Sequence, residues 1–298
     1  MLIVGYGDIG RRIARRLTSA APEGGALAVL ALVRDRSRFS DLQAPCVQPL
    51  WGDLDQPRSL RRLAGVATRV LYLAPPSSLQ EGEAGWQHDD RSRFLLASLL
   101  LGRLPRSLVY ASTSGVYGDC QGQWIDETRS VAPATPRALR RVDAEQRMRD
   151  AGLQGLVASI VRIPGIYAPD REGGTPRTRL LRGTPVLQTQ DDVYTNHIHA
   201  EDLARICIRA LWRGKPQRIY HASDDTQMKM GDYFDLAADL YGLARPARIS
   251  RQQAVAELPA MLLSFMSESR RLSNQRLKRE LKLQLNYPTV REGLAQPR

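Results

Sequence analysis

Short apolar runs alternate with amphipathic stretches through the first half of the chain. The chain opens with an apolar run at 2–4, continues with a stretch at 8–19 whose apolar residues recur every four positions, and reaches a second apolar run at 26–33. A spacing of four residues predicts a helix with one buried face, and a short continuous apolar run predicts a buried strand. The chain therefore begins as strand, helix and strand.

The same alternation continues to about residue 162. We predict further strands at Val47–Trp51, Val70–Leu73, Ser107–Ala111 and Leu156–Arg162. The helices predicted between them are Asp55–Leu63, with Asp55 as its cap, Glu83–Leu101 and Arg137–Asp150, which ends at Gly152. Strands that alternate with helices predict an α/β fold with a doubly wound parallel sheet, and such a sheet binds ligands beyond the carboxyl ends of its strands.

The pattern changes after Arg162. Residues 165–185 are rich in Gly, Pro and Arg and predict a loop with a short helix, while Ala200–Trp212 predicts a helix and Arg218–His221 a strand. The remainder is mainly helical in pattern. We therefore expect residues 1–164 and 196–222 to form the core domain, and residues 165–195 and 223–298 to form a smaller C-terminal lobe that closes over the ligand.

The first strand runs directly into a glycine motif. Gly5, Gly7 and Gly10 form the pattern G-x-G-x-x-G, with Asp8 and Ile9 between the last two glycines, at a junction of strand and helix. The first glycine permits a tight turn, the second permits close approach of a pyrophosphate, and the third permits close packing of helix and strand. The following helix offers free N–H groups to phosphate. The motif predicts a Rossmann-type domain that binds a nicotinamide dinucleotide.

The end of the second strand bears on which dinucleotide is bound. An acidic residue there binds the 2′-hydroxyl of the adenosine ribose, whereas an arginine suits a 2′-phosphate. This strand ends at Arg34, which favours NADP(H), and Asp35 follows, which leaves NAD(H) possible. Arg34 is alternatively a solvated loop charge.

Two further strand ends complete the predicted cofactor site. Asp53 and Leu54 follow the third strand, and Asp53 could accept a hydrogen bond from the adenine amino group or simply stabilise a turn. Ala74 and Pro75 follow the fourth strand, where small residues would let the cofactor lie against the backbone. Proline has no N–H to donate there.

Composition narrows the class of protein and of partner. The 298 residues contain 43% hydrophobic side chains, which is typical of a folded globular protein. The net charge of +12 comes largely from scattered arginines, without a recognisable nucleic-acid-binding module. This favours a phosphate-bearing small ligand over nucleic acid, although a nucleic-acid binder driven by charge remains a third hypothesis.

Cysteine usage and apolar run lengths indicate the compartment. Cys46, Cys120 and Cys207 are odd in number and far apart, so neither a metal site nor a disulfide framework is expected. The chain shows no signal-peptide pattern at its start, and its apolar stretches are too short to span a bilayer. We predict a cytoplasmic protein without a membrane partner.

Several segments together resemble the extended short-chain dehydrogenase/reductase superfamily, the branch that contains nucleotide-sugar epimerases and dehydratases. They are the glycine motif, Gly52–Leu54, the segment Val109–Asp119 (VYASTSGVYGD), Val161–Tyr167, Asn196–Ala204 and the ending Leu285–Leu294. The resemblance covers nearly the whole chain. It implies a Rossmann fold with a substrate lobe, an NAD(P) cofactor, a nucleotide-sugar or related hydroxyl or keto substrate, and a homodimer formed through the two long helices.

The resemblance also implies catalytic positions. A Ser or Thr that lies three residues before Val-Tyr-Gly in the family corresponds to Thr113, and Ser114 is a neighbour that could share its role. The catalytic Tyr-x-x-x-Lys pair of the family falls on Arg137 and Arg141. Arginine stays protonated and cannot act as that tyrosine does, so Arg141 is expected only to bind the ribose, and Tyr117 is a candidate substitute acid/base.

These departures resemble the atypical subgroups of the superfamily and leave two functions in competition. The leading hypothesis is an NAD(P)-dependent oxidoreductase or epimerase-like enzyme whose proton comes from water or from the substrate. The alternative is a non-catalytic NADP(H)-binding sensor or regulatory protein. His197 and His199 are expected to help fix the substrate lobe to the core.

Overall fold

The computed structural model describes residues 1–19, 27–39, 47–79 and 82–295, so Ala26 and Cys46 of the sequence analysis lie outside the described residues. The strands are β1 (Leu2–Val4), β2 (Val29–Val33), β3 (Val47–Trp51), β4 (Arg69–Tyr72), β5 (Ser107–Thr113), β6 (Trp124–Ile125), β7 (Ala158–Ile163), β8 (Gly165–Tyr167), β9 (Val186–Leu187), β10 (Tyr194–Thr195), β11 (His197–His199), β12 (Arg218–His221), β13 (Met228–Lys229), β14 (Arg248–Ile249) and β15 (Arg271–Leu272).

The helices follow the strands in the order that a doubly wound fold requires. The α-helices are α1 (Asp8–Ser19), α2 (Pro57–Leu60), α3 (Asp90–Leu99), α4 (Pro136–Gly152), α5 (Arg177–Leu181), α6 (Ala200–Arg213), α7 (Met230–Tyr241), α8 (Arg251–Glu257), α9 (Ala260–Phe265), α10 (Gln275–Leu281) and α11 (Val290–Leu294). Short 3-10 helices lie at Arg36–Phe39, Arg61–Leu63 and Ser114–Tyr117.

Seven parallel strands form the central sheet, in the order β12-β7-β5-β4-β1-β2-β3. β1 lies between β2, which follows it in the chain on one side, and β4 on the other. The strand order therefore reverses at β1, and the crevice between the carboxyl ends of β1 and β4 is the place where such sheets bind ligands. The predicted Rossmann-type α/β fold is confirmed.

Helices cover both faces of this sheet. Ile3 packs into one apolar cluster with residues of α1 and α6, whereas Leu2 and Val4 pack into a second cluster with residues of α3 and α4. Neighbouring residues of a strand point to opposite faces, so both faces of β1 are buried even though the strand is short. This burial fixes the position of the loop that follows β1.

A third apolar cluster lies within the second part of the chain, between Tyr167 and Leu294. Two-stranded sheets accompany it, namely β8 with β11, β9 with β14, β10 with β13, and β6 with β15. These pairs are not predictable from the sequence, because strands of two or three residues leave no periodic pattern. The proposed division of the chain into core and lobe stays a prediction.

Two predicted helices differ from those observed. The helix predicted at 83–101 begins only at Asp90, because Gly82 and Gly85 adopt positive φ angles in a turn that precedes it. The helix predicted to be capped by Asp55 begins at Pro57 with Gln56 at its cap position. The carboxylate of Asp55 instead pairs with Arg91 at 2.6 Å.

Cys120 and Cys207 are buried free thiols. In the part of the chain that the structure describes, no helix has the length and apolar character needed to cross a bilayer. The same residues contain no group of three or more His, Cys, Asp or Glu side chains that could hold a metal ion.

Candidate functional site

The turn after β1 requires glycine at its first position. Gly5 has a φ of +98°, and a Cβ atom placed on it would lie 2.4 Å from the backbone nitrogen of Ala74. A Cβ on Gly10 would lie 2.8 Å from the carbonyl oxygen of Gly5. Both glycines therefore serve the close packing of β1, α1 and the end of β4, whether or not a ligand is bound.

Gly7 is different, because it faces open space. It is exposed, and a Cβ on it would meet no atom within 4 Å. It lies directly before α1, whose first N–H groups have no partner inside the helix and carry the positive end of the helix dipole. This open cradle fits the diphosphate of a dinucleotide, which would take hydrogen bonds from those N–H groups.

Asp8, the first residue of α1, belongs to a network of charged side chains. Its carboxylate accepts from Arg12 Nε at 3.0 Å and from Arg171 Nη1 at 2.7 Å. Arg12, only 4% exposed, also donates to Asp170 at 2.8 Å and to Glu201 at 2.6 Å. The network ties the glycine motif to the loop after β8 and to the first turn of α6.

Arginines surround Trp51 at the carboxyl ends of β2 and β3. Trp51 Nε1 donates to the carbonyl oxygen of Arg34 at 3.1 Å. The guanidinium carbons of Arg36 and Arg62 lie 4.9 Å and 5.6 Å from the centre of the Trp51 ring. Arg34, Arg36 and Arg62 are exposed, so an aromatic plane and three cations are available to a ligand at this edge.

Asp53 and Leu54 lie in the turn that follows β3. The Oδ1 atom of Asp53 accepts from the N–H of Asp55 at 3.0 Å, and the Asp53 N–H donates to Ser59 Oγ at 2.9 Å. Asp53 thus stabilises the turn, which was the alternative interpretation of this residue. Leu54 is buried in the core cluster that also contains Val4.

Ala74 and Pro75 form the opposite wall of the crevice. Ala74 is buried against Gly5, and Arg91 donates to the carbonyl oxygen of Pro75 at 3.1 Å. Arg91 also forms a two-pronged pair with Asp55, and this hydrogen bond lowers the pKa of the Asp55 carboxyl. Arg91 therefore connects the loops that follow β3 and β4.

Arg141 lies beneath the crevice on α4. It is 5% exposed, and its Nη1 donates to Tyr110 Oη at 3.0 Å and to the carbonyl oxygen of Ala111 at 2.7 Å, with the carbonyl oxygen of Ala74 at 3.5 Å. Its Nε is buried and has no hydrogen-bond partner among the described residues. One face of this guanidinium is thus bound to β5 and the end of β4.

Thr113 ends β5 and begins the 3-10 helix that follows. It is partly exposed, and its Oγ1 accepts from the N–H of Gly115 at 3.2 Å. A hydroxyl that accepts one hydrogen bond still has a proton to donate. Ser114 is buried, with 5% of its surface exposed, so of these two hydroxyl-bearing side chains Thr113 is the more accessible.

Tyr117 is directed into the interior. Its ring is 1% exposed, and its hydroxyl lies 2.5 Å from His221 Nε2, while His221 Nδ1 lies 3.0 Å from the carbonyl oxygen of Ser273. Burial raises the pKa of Tyr117 to about 12. This environment is unsuitable for the acid/base role that the sequence analysis considered for Tyr117.

A buried ion pair supports the end of β5 from behind. Ser112 Oγ donates to Glu145 Oε1 at 2.6 Å, and Arg162 donates to both oxygens of Glu145 at 3.0 Å and 2.6 Å. All three side chains are at most 4% exposed. The network joins β5, α4 and β7 next to Thr113 and restricts how the strand end can move.

His197 and His199 are buried in β11. His197 stacks on Tyr233 at a centroid distance of 4.1 Å, and burial lowers its pKa to about 3. His199 Nδ1 accepts from the N–H of Glu201 and caps α6. Both residues occupy packed positions between the central sheet and the third apolar cluster.

Sequence reasoning missed four arginines that contact the loops of the site, namely Arg12, Arg36, Arg62 and Arg91. Only Arg12 left a signal, because it lies four residues after Asp8 in a predicted helix, a spacing that favours ion pairs. The other partners are far apart in the chain, so their contacts follow from the fold and not from local spacing.

Comparison with known proteins shows which family this chain is similar to. The model of the NAD dependent epimerase/dehydratase family matches residues 1–222. A functionally unknown conserved protein from Silicibacter pomeroyi has a similar structure, with a TM-score of 0.78 and 28% sequence identity, over 99% of this chain and 96% of that chain. No curated protein matches the chain.

Two enzymes of known type share the fold at lower identity. The dTDP-glucose 4,6-dehydratase DesIV from Streptomyces venezuelae, a double mutant with NAD and DAU bound, has a TM-score of 0.76 and 21% identity, over 99% of this chain and 94% of that chain. A nucleoside-diphosphate-sugar epimerase from Pseudomonas aeruginosa has a TM-score of 0.76 and 19% identity, over 98% and 94%.

Proposed function

The chain belongs to the NAD dependent epimerase/dehydratase family, and we propose that it is an NAD(P)-dependent oxidoreductase or epimerase-like enzyme. The proposed substrate is a nucleotide-sugar or a related compound with a hydroxyl or keto carbon. The observation that carries the proposal is the open cradle at Gly7, where the first turn of α1 presents its N–H groups at the switch point of the sheet.

We propose NADP(H) as the preferred coenzyme, with NAD(H) as the alternative. Arg34, Arg36 and Arg62 lie around Trp51 at the strand ends where the adenosine ribose binds in such folds. Arginine can bind a 2′-phosphate through two parallel hydrogen bonds. NAD(H) is the alternative because the acidic residue Asp35 follows Arg34 directly. The structure of the dTDP-glucose 4,6-dehydratase DesIV was solved with NAD bound.

Residues of this chain have distinct roles in the proposed reaction. When bound, the nicotinamide ring supplies a hydride donor or acceptor. Thr113 Oγ1 donates a hydrogen bond to the substrate oxygen and so orients the reacting carbon, while it still accepts from Gly115. Arg141 holds the ends of β4 and β5 at a fixed separation and offers its remaining donors to the ribose. Water or the substrate provides the proton.

The proposal is tested in two steps. Calorimetric titration of the purified chain with NADP(H) and NAD(H) comes first, and the absence of binding to both would refute it. Hydride transfer is then followed at the reduced nicotinamide absorbance across sugar nucleotides and ketones. We expect Thr113→Ala to lower kcat at least tenfold and Thr113→Ser, which keeps the hydroxyl and the cap, to retain most of it.

A non-catalytic NADP(H)-binding sensor is the second candidate. Its support is that Arg137 replaces the catalytic tyrosine implied by the family resemblance, while Tyr117 is buried against His221. It predicts saturable coenzyme binding, no turnover of any substrate, and no effect of Thr113→Ala in any assay. Turnover that depends on Thr113 excludes it.

Three further properties are proposals from the sequence. We propose a homodimer formed through α3 and α4, which pack side by side and are candidates for a shared helical interface. Sedimentation or light scattering of the pure chain measures its oligomeric state directly.

We also propose a cytoplasmic location and a small-molecule partner in preference to nucleic acid. A mobility-shift assay at low salt tests for nucleic-acid binding.

A further inference from the structure

Three arginines lie close together at the start of α4. Arg137, Arg140 and Arg141 occupy the first turns of this helix, which begins at Pro136 after the cap residue Thr135. Arg137 and Arg141 are four residues apart and share one helix face. Because Arg141 contacts the ends of β4 and β5, Arg137 lies one turn further toward the open side of the crevice.

Two of these guanidiniums donate hydrogen bonds to backbone carbonyl oxygens of the protein itself. Arg140 Nη1 donates to Leu79 O at 3.0 Å and to Trp86 O at 2.7 Å, and Arg141 is bound to β5 and Tyr110. Arg140 and Arg141 are each 5% exposed. These hydrogen bonds satisfy donors but do not neutralise the two charges.

Arg137 is exposed, and it forms no ion pair with any residue that the structure describes. The groups that act on it electrostatically are Arg141, Arg140 and the phenol of Tyr110, and in the described part of the chain no carboxylate pairs with it. Asp89 acts on both Arg140 and Arg141 and is completely buried and bonded to Ser92, and Glu83 also acts on Arg140. α4 connects the parallel strands β5 and β7, so its first turn, with Arg137, lies at the edge of the sheet where β5 ends.

We propose that Arg137 recognises an anionic group of the substrate, a carboxylate or a phosphate, next to the carbon that reacts. This inference rests on the proposed function, because it places the substrate between Thr113 and α4. A guanidinium binds either anion with two parallel hydrogen bonds and keeps its proton at any working pH. The proposed role of Arg137 is therefore to bind a charged group of the substrate, and not to exchange a proton with it.

A matched pair of sugar nucleotides tests the carboxylate form. UDP-glucuronic acid and UDP-glucose differ only in a carboxylate where the other has a hydroxymethyl group. Each is titrated into the coenzyme-saturated chain, and binding is followed by the fluorescence of the reduced nicotinamide. We expect UDP-glucuronic acid to bind about tenfold more tightly, which corresponds to roughly 1.4 kcal/mol.

The variants assign that preference to Arg137. We expect Arg137→Gln to bring the affinity ratio close to one and Arg137→Lys to retain part of it. Arg213→Gln, which removes an exposed arginine at the end of α6, serves as the matched control and should leave the ratio unchanged. Melting temperatures of all variants are expected to agree, because Arg137 makes no ion pair with a residue in the described part of the chain.

A second arm identifies a phosphate as the recognised group. Glucose 6-phosphate is compared with glucose in the same assay, and a preference that Arg137→Gln removes supports the phosphate form. A ratio near one for both pairs, or a preference that survives Arg137→Gln, overturns the inference even when coenzyme binds. Failure of coenzyme to bind overturns the proposed function itself, and the inference with it, so the two failures are distinguishable.

Discussion

The carboxylate of Asp8 pairs with the guanidinium of Arg171 at 2.7 Å, although the two residues are separated by 163 positions in the chain. Asp8 would otherwise place a negative charge at a helix N-terminus that is proposed to receive a diphosphate. Arg171 and Arg12 compensate that charge, so the loop after β8 contributes to the electrostatics of the first turn of α1.

A double-mutant cycle on this pair measures the compensation. We expect Arg171→Gln to weaken NADP(H) binding about fivefold, because it leaves the charge of Asp8 less balanced. Asp8→Asn should bind nearly normally, and Asp8→Asn combined with Arg171→Gln should bind better than Arg171→Gln alone. Fluorescence titration gives the three affinities, and strictly additive effects would contradict the compensation.

Substitution of Gly5 or Gly7 in the turn should distinguish an effect on folding from an effect on coenzyme binding. Gly5→Ala places a Cβ 2.4 Å from Ala74 at a positive φ, so we expect a loss of about 2 kcal/mol or more in the free energy of unfolding. Gly7→Ala meets no atom within 4 Å and should melt like the parent chain. It should nevertheless weaken coenzyme binding, and unchanged affinity would place the diphosphate elsewhere.

Coenzyme preference should depend on the arginines around Trp51. We expect Arg34→Ser with Arg36→Ser to reduce the NADP(H) to NAD(H) affinity ratio by roughly tenfold or more, since each lost bond to a charged phosphate is worth about 1.5–3 kcal/mol before solvent screening reduces it. Arg58→Ser is a control on α2. An NAD(H) preference in the parent chain would refute the NADP(H) proposal.

The buried pair of Glu145 and Arg162 should be critical for stability. Glu145→Gln leaves the positive charge of Arg162 without its partner in the interior, which costs about 3–5 kcal/mol. Ser112→Ala removes one hydrogen bond to Glu145 and keeps the ion pair, so we expect about 1 kcal/mol. Urea denaturation of both variants checks the order, and equal losses would contradict it.

Asp224 should make stability depend on pH. Burial raises its pKa to about 8, whereas an unfolded aspartate titrates near 4. The folded state therefore holds the proton longer, so the free energy of unfolding falls as pH rises from about 4 to about 8, by at most roughly 1.4 kcal/mol per pH unit. Asp224→Asn should remove this loss.

Two histidines determine the pH range in which the effect of Asp224 on the free energy of unfolding is best measured. Burial lowers the pKa of His197 and of His221 to about 3, so both bind protons more readily when unfolded and their contribution to stability increases as pH rises to about 6.5. Above pH 6.5 the contribution of the two histidines fades, because an unfolded imidazole is then more than half deprotonated, while the opposite trend of Asp224 continues to about pH 8. Chemical denaturation of the parent chain and Asp224→Asn in that window compares the two slopes.

Much of the central sheet was predictable because short strand-like segments alternate with helix-like segments along the chain. Leu2–Val4, Val47–Trp51 and Arg218–His221 were predicted with the bounds observed, as was the helix at Asp8–Ser19. Leu2–Val4 is an apolar run buried on both faces, so the local sequence determines it, whereas only Val47 is buried in Val47–Trp51 and the alternation of elements carried that prediction. The glycine turn followed from the same logic, since Gly5 and Gly10 have no room for a side chain.

The remaining features depend on contacts between distant segments. Nothing near Asp55 indicates that it pairs with Arg91 instead of capping a helix, and nothing near Tyr117 indicates that its hydroxyl bonds His221. Local sequence predicts which groups are polar, but the fold chooses their partners. The two-residue strands of the second part of the chain escape prediction for the same reason.

The bonds of Arg141 to Tyr110, Ala111 and Ala74 also bear on how the tyrosine and lysine that the family resemblance implies could be introduced into this chain. All three bonds come from the single nitrogen Nη1, and a lysine side chain is one bond shorter than an arginine side chain, so its Nζ could not reach the same position without movement of the helix or of the strand ends. Changing position 137 first breaks no ion pair with a described residue, whereas changing position 141 first would loosen two strand ends. The order of the two substitutions therefore matters. An engineer who introduces both should change the exposed residue, Arg137, before Arg141.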